Sequence, residues 1–90
     1  MRRIIWTAAA EDDLRGIQEY YAQFNPFAAN RLVERLLAAA ENLPDMPHIG
    51  RLIRFGRREL ASVWPYLIRY RVTEDEVIIL RIRHGRRRPE

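Results

Sequence analysis

Apolar residues recur in two rhythms along this 90-residue chain, and the change of rhythm divides it. Leu14, Ile17, Tyr21 and Phe24 stand three and four residues apart, one stripe of a helix. Thr7 precedes them as an N-cap, and Glu11, Asp12 and Asp13 complement the positive end of a helix dipole. Gly16 lowers helix propensity within this run, and its missing side chain predicts the close approach of another element. Asn25-Pro26 ends the first helix and starts a second, because Asn caps and Pro suits the first helical position. Ala29, Leu32, Val33, Leu36, Leu37, Ala40 and Leu43 form the buried stripe of the second helix, and Pro44 and Pro47 mark its exit. So short a connection forces an antiparallel helical hairpin.

After Pro47 the rhythm becomes two. Residues 59–64 predict a strand, and Pro65 breaks it from the next. In residues 66–72, Tyr66, Ile68, Tyr70 and Val72 share one face while Arg69 and Arg71 share the other. Residues 77–84 repeat the scheme, with Ile78, Leu80 and Ile82 as the apolar row and Arg81 and Arg83 opposed to it. Thr73-Glu74-Asp75-Glu76 is a polar hairpin loop. Arg69 faces Arg81 only if the loop holds an odd number of residues or a bulge intervenes; a two-residue loop sets Arg71 against Ile78. The hairpin then gathers four arginines on one face. Like charges directly opposed are unfavourable, so such a face is expected to meet something anionic. Residues 48–57 contain Gly50 and Gly56 and read as turns around a short strand at Leu52-Ile53. Ile4-Ile5-Trp6 is a short strand that joins the sheet beside the last one. The expected fold class is α+β: one two-layer domain over residues 1–90, with a short N-terminal strand and an antiparallel helical hairpin packed on a small antiparallel C-terminal sheet.

Charge sharpens this picture. All 16 basic residues are arginine, against 12 acidic ones, for a net charge of +4. Arginine is a fixed, forked cation that suits carboxylate and phosphate and serves poorly as a general base or Schiff-base amine. The basic rows allow three readings: a solvated face with local carboxylate partners, a nucleic-acid surface, or a docking face for an acidic protein segment. The chain has no cysteine, hence no disulfide and no thiolate nucleophile. His48 reads as an exposed loop residue and His84 as a turn histidine before Gly85. Neither has a second ligand at metal spacing, so no metal and no other cofactor is expected. Trp6, Tyr20 and Tyr21 read as core rather than as a nucleic-acid platform, and Trp64 is the aromatic least expected to be buried. No apolar run approaches the ~20 residues that span a bilayer, and Ile4-Ile5-Trp6 is too short for a signal peptide, so a cytoplasmic protein without a membrane partner is expected.

Several short motifs belong together. They are Trp6-Thr7-x-x-Ala10-x-x-Asp13-Leu14-x-x-Ile17, the Asn25-Pro26 hairpin, the Gly50-Arg51 turn, Arg58-Glu59-Leu60, residues 65–72 and the ending 79–87. With the order of elements, they resemble the RelE/ParE superfamily, the toxic halves of type II toxin–antitoxin pairs, over nearly the whole chain. The chain looks most like the ParE, or plasmid-stabilisation, branch. That resemblance implies a toxin that inhibits DNA gyrase by binding it, without chemistry of its own. It also implies neutralisation by a cognate antitoxin and no independent sequence-specific DNA binding. Arg69, Arg71, Arg81 and Arg83 are the expected antitoxin- or target-binding residues, and the tail Arg86-Arg87-Arg88 is expected to act on the target. The alternative is a RelE-like ribosome-dependent messenger-RNA endoribonuclease. Attack by a 2′-hydroxyl needs a base, cations for the phosphorane and an acid for the leaving oxygen. Arg58, Arg81 and His84 are the first candidates, with Glu59 as another base, but the chain has no lysine and no tyrosine after Tyr70. A third reading is a degenerate toxin that serves only as an antitoxin-binding module.

Overall fold

Side-chain caps start both helices. In the computed structural model, which describes residues 2–86, Thr7 Oγ1 accepts from the Ala10 N–H at 3.1 Å and opens α1 (Ala8–Ala22). Asn25 Oδ1 accepts from the Ala28 N–H at 3.1 Å and opens α2 (Pro26–Glu41), with Pro26 at its first position. The remaining elements are β1 (Arg3–Trp6), β2 (Arg51–Leu52), a 3₁₀ turn (Arg54–Gly56), β3 (Arg57–Val63), β4 (Tyr66–Val72) and β5 (Glu76–His84). They form one sheet in the order β1-β5-β4-β3-β2. The N-terminal strand lies beside the last strand and runs parallel to it, so the sheet is mixed: Trp6 pairs Ile79, and the other pairings are antiparallel. Two helices against a five-stranded sheet make the α+β fold that the spacing predicts.

The helical hairpin closes the core over one sheet face. Ala10, Leu36, Ala40 and Leu43 pack with Leu60, Val63, Tyr66, Ile68, Tyr70, Val77, Ile79 and Ile82. Leu14, Ile17, Tyr21 and Leu32 pack at the margin. Phe24 departs from the stripe assigned to it. α1 ends at Ala22, the Phe24 N–H turns back to the Tyr21 carbonyl at 3.0 Å, and the ring is left 71% exposed. Tyr20 also lies outside the core, at 56% exposure.

The apolar row of β5 needs a larger correction. Its buried residues are Val77, Ile79 and Ile82, not Ile78, Leu80 and Ile82. Tyr70 pairs Ile79 and Arg69 pairs Arg81, so Leu80 is an extra residue in a bulge. Odd positions face the core before the bulge, and an even one does after it. Arg69 therefore opposes Arg81, but Arg71 falls opposite Ile78 and Arg83 opposite Leu67. The four arginines share the sheet face opposite the core, but only Arg69 and Arg81 are directly paired. Thr7 holds the bulge in place: its N–H donates to the Ile79 carbonyl at 3.1 Å, and its hydroxyl lies 2.9 and 3.1 Å from the Ile79 and Leu80 carbonyls.

Gly50, unlike Gly16, admits a close neighbour. A Cβ on Gly16 would meet nothing within 4 Å, whereas one on Gly50 would stand 2.5 Å from the Tyr70 hydroxyl and 3.0 Å from the Glu59 carbonyl oxygen. Tyr70 is fully buried; its hydroxyl accepts from the Gly50 N–H and donates to the Pro47 carbonyl, both at 2.8 Å. One phenol thus fastens the end of the helical layer to the middle of the sheet. Gly50→Ala is expected to destabilise the fold by about 1–3 kcal/mol through overpacking. Gly16→Ala is expected to stabilise it by about 0.5–1 kcal/mol through helix propensity. Urea unfolding of the two variants measures both.

Burial pushes the Tyr70 hydroxyl above its ordinary value of 10.0, outweighing the Gly50 N–H bond and the nearby Arg58, which both favour the phenolate. The native state keeps this proton at a pH where the unfolded chain releases it. The corresponding stability is present below pH 10.0 and is lost as pH rises through the native value. Alkaline denaturation of Tyr70→Phe is expected to lack this component.

Candidate functional site

One row of charge crosses the sheet. Arg51 pairs Glu59, Glu59 pairs Arg69, and Arg69 pairs Arg81 in strand register. The Glu59 carboxylate is nearly buried. Its Oε2 accepts from Arg69 Nε at 3.1 Å and Nη2 at 2.7 Å, and its Oε1 stands 3.4 Å from Arg51 Nη2. Arg69 itself is only 7% exposed. Arg81 turns to α1 instead: its Nε and Nη2 donate to Asp13 Oδ2 at 2.8 Å and Oδ1 at 3.1 Å. The direct opposition of Arg69 and Arg81 is tolerated because each has its own carboxylate, held by two hydrogen bonds.

Asp13 has a second task. β1 stops at Trp6 opposite Ile79, so β5 has no strand neighbour on that side beyond this point among the described residues. Asp13 Oδ2 accepts the Ile82 N–H at 2.9 Å and satisfies the open edge. Other arginines hold the 48–56 segment. Arg58 Nη1 donates to the Gly50 carbonyl at 2.8 Å and the His48 carbonyl at 3.3 Å, and Arg71 Nη1 donates to the Phe55 carbonyl at 2.7 Å. These partners are main-chain oxygens that no side-chain pattern announces.

Where β1 ends, a cleft of about 680 Å³ opens between α1 and the end of β5. Asp12, Asp13, Gly16, Tyr20 and Tyr21 line it from the helix. Tyr66, Arg81, Arg83, His84 and Arg86 line it from the sheet and the turn after it. The rings form a chain: Tyr20–Tyr21 at 5.1 Å between centroids, Tyr21–Tyr66 at 6.5 Å and Tyr66–His84 at 5.3 Å, all edge to face. The Tyr66 and Tyr21 hydroxyls are 3.2 Å apart. His84 Nδ1 accepts the Arg86 N–H at 3.1 Å, the role of a turn histidine. That bond leaves the neutral ring's proton on Nε2.

The cleft therefore brings together Arg81, Arg83, His84 and Arg86. It does not bring Arg58 to them. Arg58 pairs Tyr70, which pairs Ile79, so His84 lies five residues further along β5, roughly 16 Å at strand rise. Glu59 is taken up by Arg69. Arg87 and Arg88 lie outside the described residues. Sequence patterning missed Asp13, which it used only as a dipole partner, and the exposure of Tyr20. The second had a signal: Tyr20 and Tyr21 are adjacent on one helix, and adjacent positions do not share a face.

The family model for the ParE toxin of the type II toxin–antitoxin system parDE matches residues 4–89. The chain belongs to the ParE toxin family. It is 46% identical over 87 residues to Toxin RelE2 of Caulobacter vibrioides, covering 97% of this chain and 99% of that one. It is 30% identical over 90 residues to Toxin ParE2 of Mycobacterium tuberculosis, covering 98% and 86%. A solved chain of the chromosomal ParDE system from P. aeruginosa matches the fold with a TM-score of 0.84 at 29% identity, covering 93% of this chain and 96% of its own length. The chain is thus a toxin of a type II toxin–antitoxin system, and the partner of such a toxin is an antitoxin protein. Relatives named RelE and ParE both occur, while the family model is that of ParE. No helix of the described residues is long and apolar enough to cross a membrane.

The Glu59–Arg69 pair makes the toxin's stability testable apart from its activity. Glu59→Leu alone leaves a buried guanidinium without its carboxylate and is expected to cost about 3–5 kcal/mol. Adding Arg69→Leu is expected to recover most of that loss, because a buried pair is replaced by apolar volume. A double-mutant cycle by urea unfolding measures the recovery.

Proposed function

We propose that this toxin inhibits DNA gyrase by binding it, without bond chemistry of its own, and that its antitoxin neutralises it by covering the same cationic end. The observation that carries this reading is the gathering of Arg83, His84 and Arg86 around one cleft, immediately before the rest of the arginine tail, in a chain of the ParE family. The ribonuclease set has less support, because Arg58 stands far from His84 and Glu59 is held by Arg69. Arg83, Arg86 and the following Arg87 and Arg88 are the proposed target-binding residues. Arg71 and Arg83, on the sheet face away from the helices, are proposed to meet antitoxin carboxylates. Arg69 and Arg81 contribute by holding that surface in shape through Glu59 and Asp13. The cytoplasm is the compartment this action requires.

The test uses purified antitoxin-free toxin with gyrase, ATP and relaxed plasmid. Dose-dependent loss of supercoiling is expected, with linear DNA after protease treatment, and both are expected to be reversed by antitoxin. The double variant Arg83→Glu, Arg86→Glu is expected to need roughly tenfold more protein for the same effect, while its urea midpoint stays near that of the parent. Removing residues 87–90 is expected to lower potency further. No effect at large molar excess would end the gyrase reading and direct the search to the ribosome.

A further inference from the structure

The cleft between α1 and β5 is bordered by aromatic surface that the fold leaves outside its core. Phe24 packs on Tyr20 at 5.5 Å between centroids, and both are exposed, at 71% and 56%. Trp64, beside Gly85 in the turn that follows β5, is 57% exposed, yet its place is fixed. A Cβ on Gly85 would lie 2.7 Å from the indole, and the Gly85 N–H donates to the Pro65 carbonyl at 2.6 Å. Arg83 and Arg86 line the cleft together with Tyr20. Asp13 is paired with Arg81, and Asp12 with Arg15 at 2.7 Å, so neither acid stands as a bare negative charge toward a phosphate.

We propose that this cleft binds an unpaired nucleic-acid strand, with bases stacked on Tyr20, Phe24 and Trp64 and phosphates paired to Arg83 and Arg86. Exposed π faces beside fixed cations form the combination that holds single strands without reading sequence. A duplex buries its base faces and offers these rings nothing. An acidic peptide offers carboxylates to the arginines, but it does not bring a flat ring with each charge as a nucleotide does. Gly16 leaves the helix wall open, since a Cβ there would meet nothing within 4 Å. The two tyrosine hydroxyls in the cleft lie within hydrogen-bonding distance of each other, so they do not offer themselves first to a 2′-hydroxyl. DNA and RNA strands are therefore held alike. No bond is broken in this contact.

The experiment is fluorescence anisotropy of the full-length, antitoxin-free toxin with labelled oligo-dT, oligo-U of equal length, and a duplex of that length. Both single strands are expected to bind with similar affinity, and the duplex more weakly. Tyr20→Ala and Phe24→Ala leave every charge in place and alter exposed positions. Each is expected to weaken strand binding by roughly tenfold with an unchanged salt dependence. Arg83→Gln and Arg86→Gln are each expected to make the slope of log K against log salt shallower, by about 0.7 for every phosphate no longer neutralised. Three outcomes would overturn the proposal: no strand binding at low salt, equal affinity for the duplex, or strand binding indifferent to loss of the rings. Binding of an acidic amphipathic peptide that depends on the rings, where oligonucleotides do not bind, would assign the cleft to a protein partner instead. The mixture contains no gyrase, so this proposal and the gyrase reading can fail separately.

Discussion

A carboxylate held out of water between arginines organises this sheet. Glu59 accepts two hydrogen bonds from Arg69, and both side chains are nearly buried. Such a pair contributes little net stability, because desolvation offsets most of the attraction. What it does contribute is register. A slip of one residue between β3 and β4 would carry Glu59 to the core face and strand Arg69 without a counter-charge. The same constraint extends to β5, where Arg81 stands opposite Arg69 and needs its own acid. Asp13 supplies it from the helical layer. The row Arg51–Glu59–Arg69–Arg81 is thus continued into α1.

That continuation is possible because of the bulge at Leu80. Without it, either Arg81 or the apolar residues of β5 would point to the wrong face. With it, Val77 and Ile79 stay in the core before the bulge and Ile82 after it. Thr7 joins this device to the start of α1, using one side chain both to cap the helix and to reach the carbonyls of Ile79 and Leu80. The ending of β1, the opening of α1 and the bulge are therefore one structural event. Its product is the cleft: β5 continues past the end of its neighbour, and α1 crosses the open edge rather than pairing with it.

The arginines also differ in where along the fold they stand. Arg58, Arg69, Arg71 and Arg81 hold the molecule's own carbonyls and carboxylates. Arg83 and Arg86 stand at the cleft, next to the rest of the tail. Alternation alone places the first group and the second on the same footing, since all are polar residues in strands or turns. The distinction matters for function, because the second group shares its place on the surface with exposed aromatic rings.

Local chemistry makes much of the fold legible from the chain by itself. Thr7, Asn25 and Pro26 mark helix starts by capping, the short link between helices forces a hairpin, and the β alternation of residues 66–72 holds without change. The motifs spread along the chain also identify the toxin family. The tertiary structure alone decided the bulge at Leu80, the exposure of Phe24, the closeness of Gly50 rather than Gly16 to a neighbour, and the fate of each arginine. The reason is separation along the chain. Asp13 and Arg81 are 68 residues apart, and Tyr70 and Pro47 are 23 apart. Periodicity reports which face a residue occupies within its own element. It carries no information about which distant group will occupy the space opposite, and that choice decides which carboxylates and carbonyls the arginines hold.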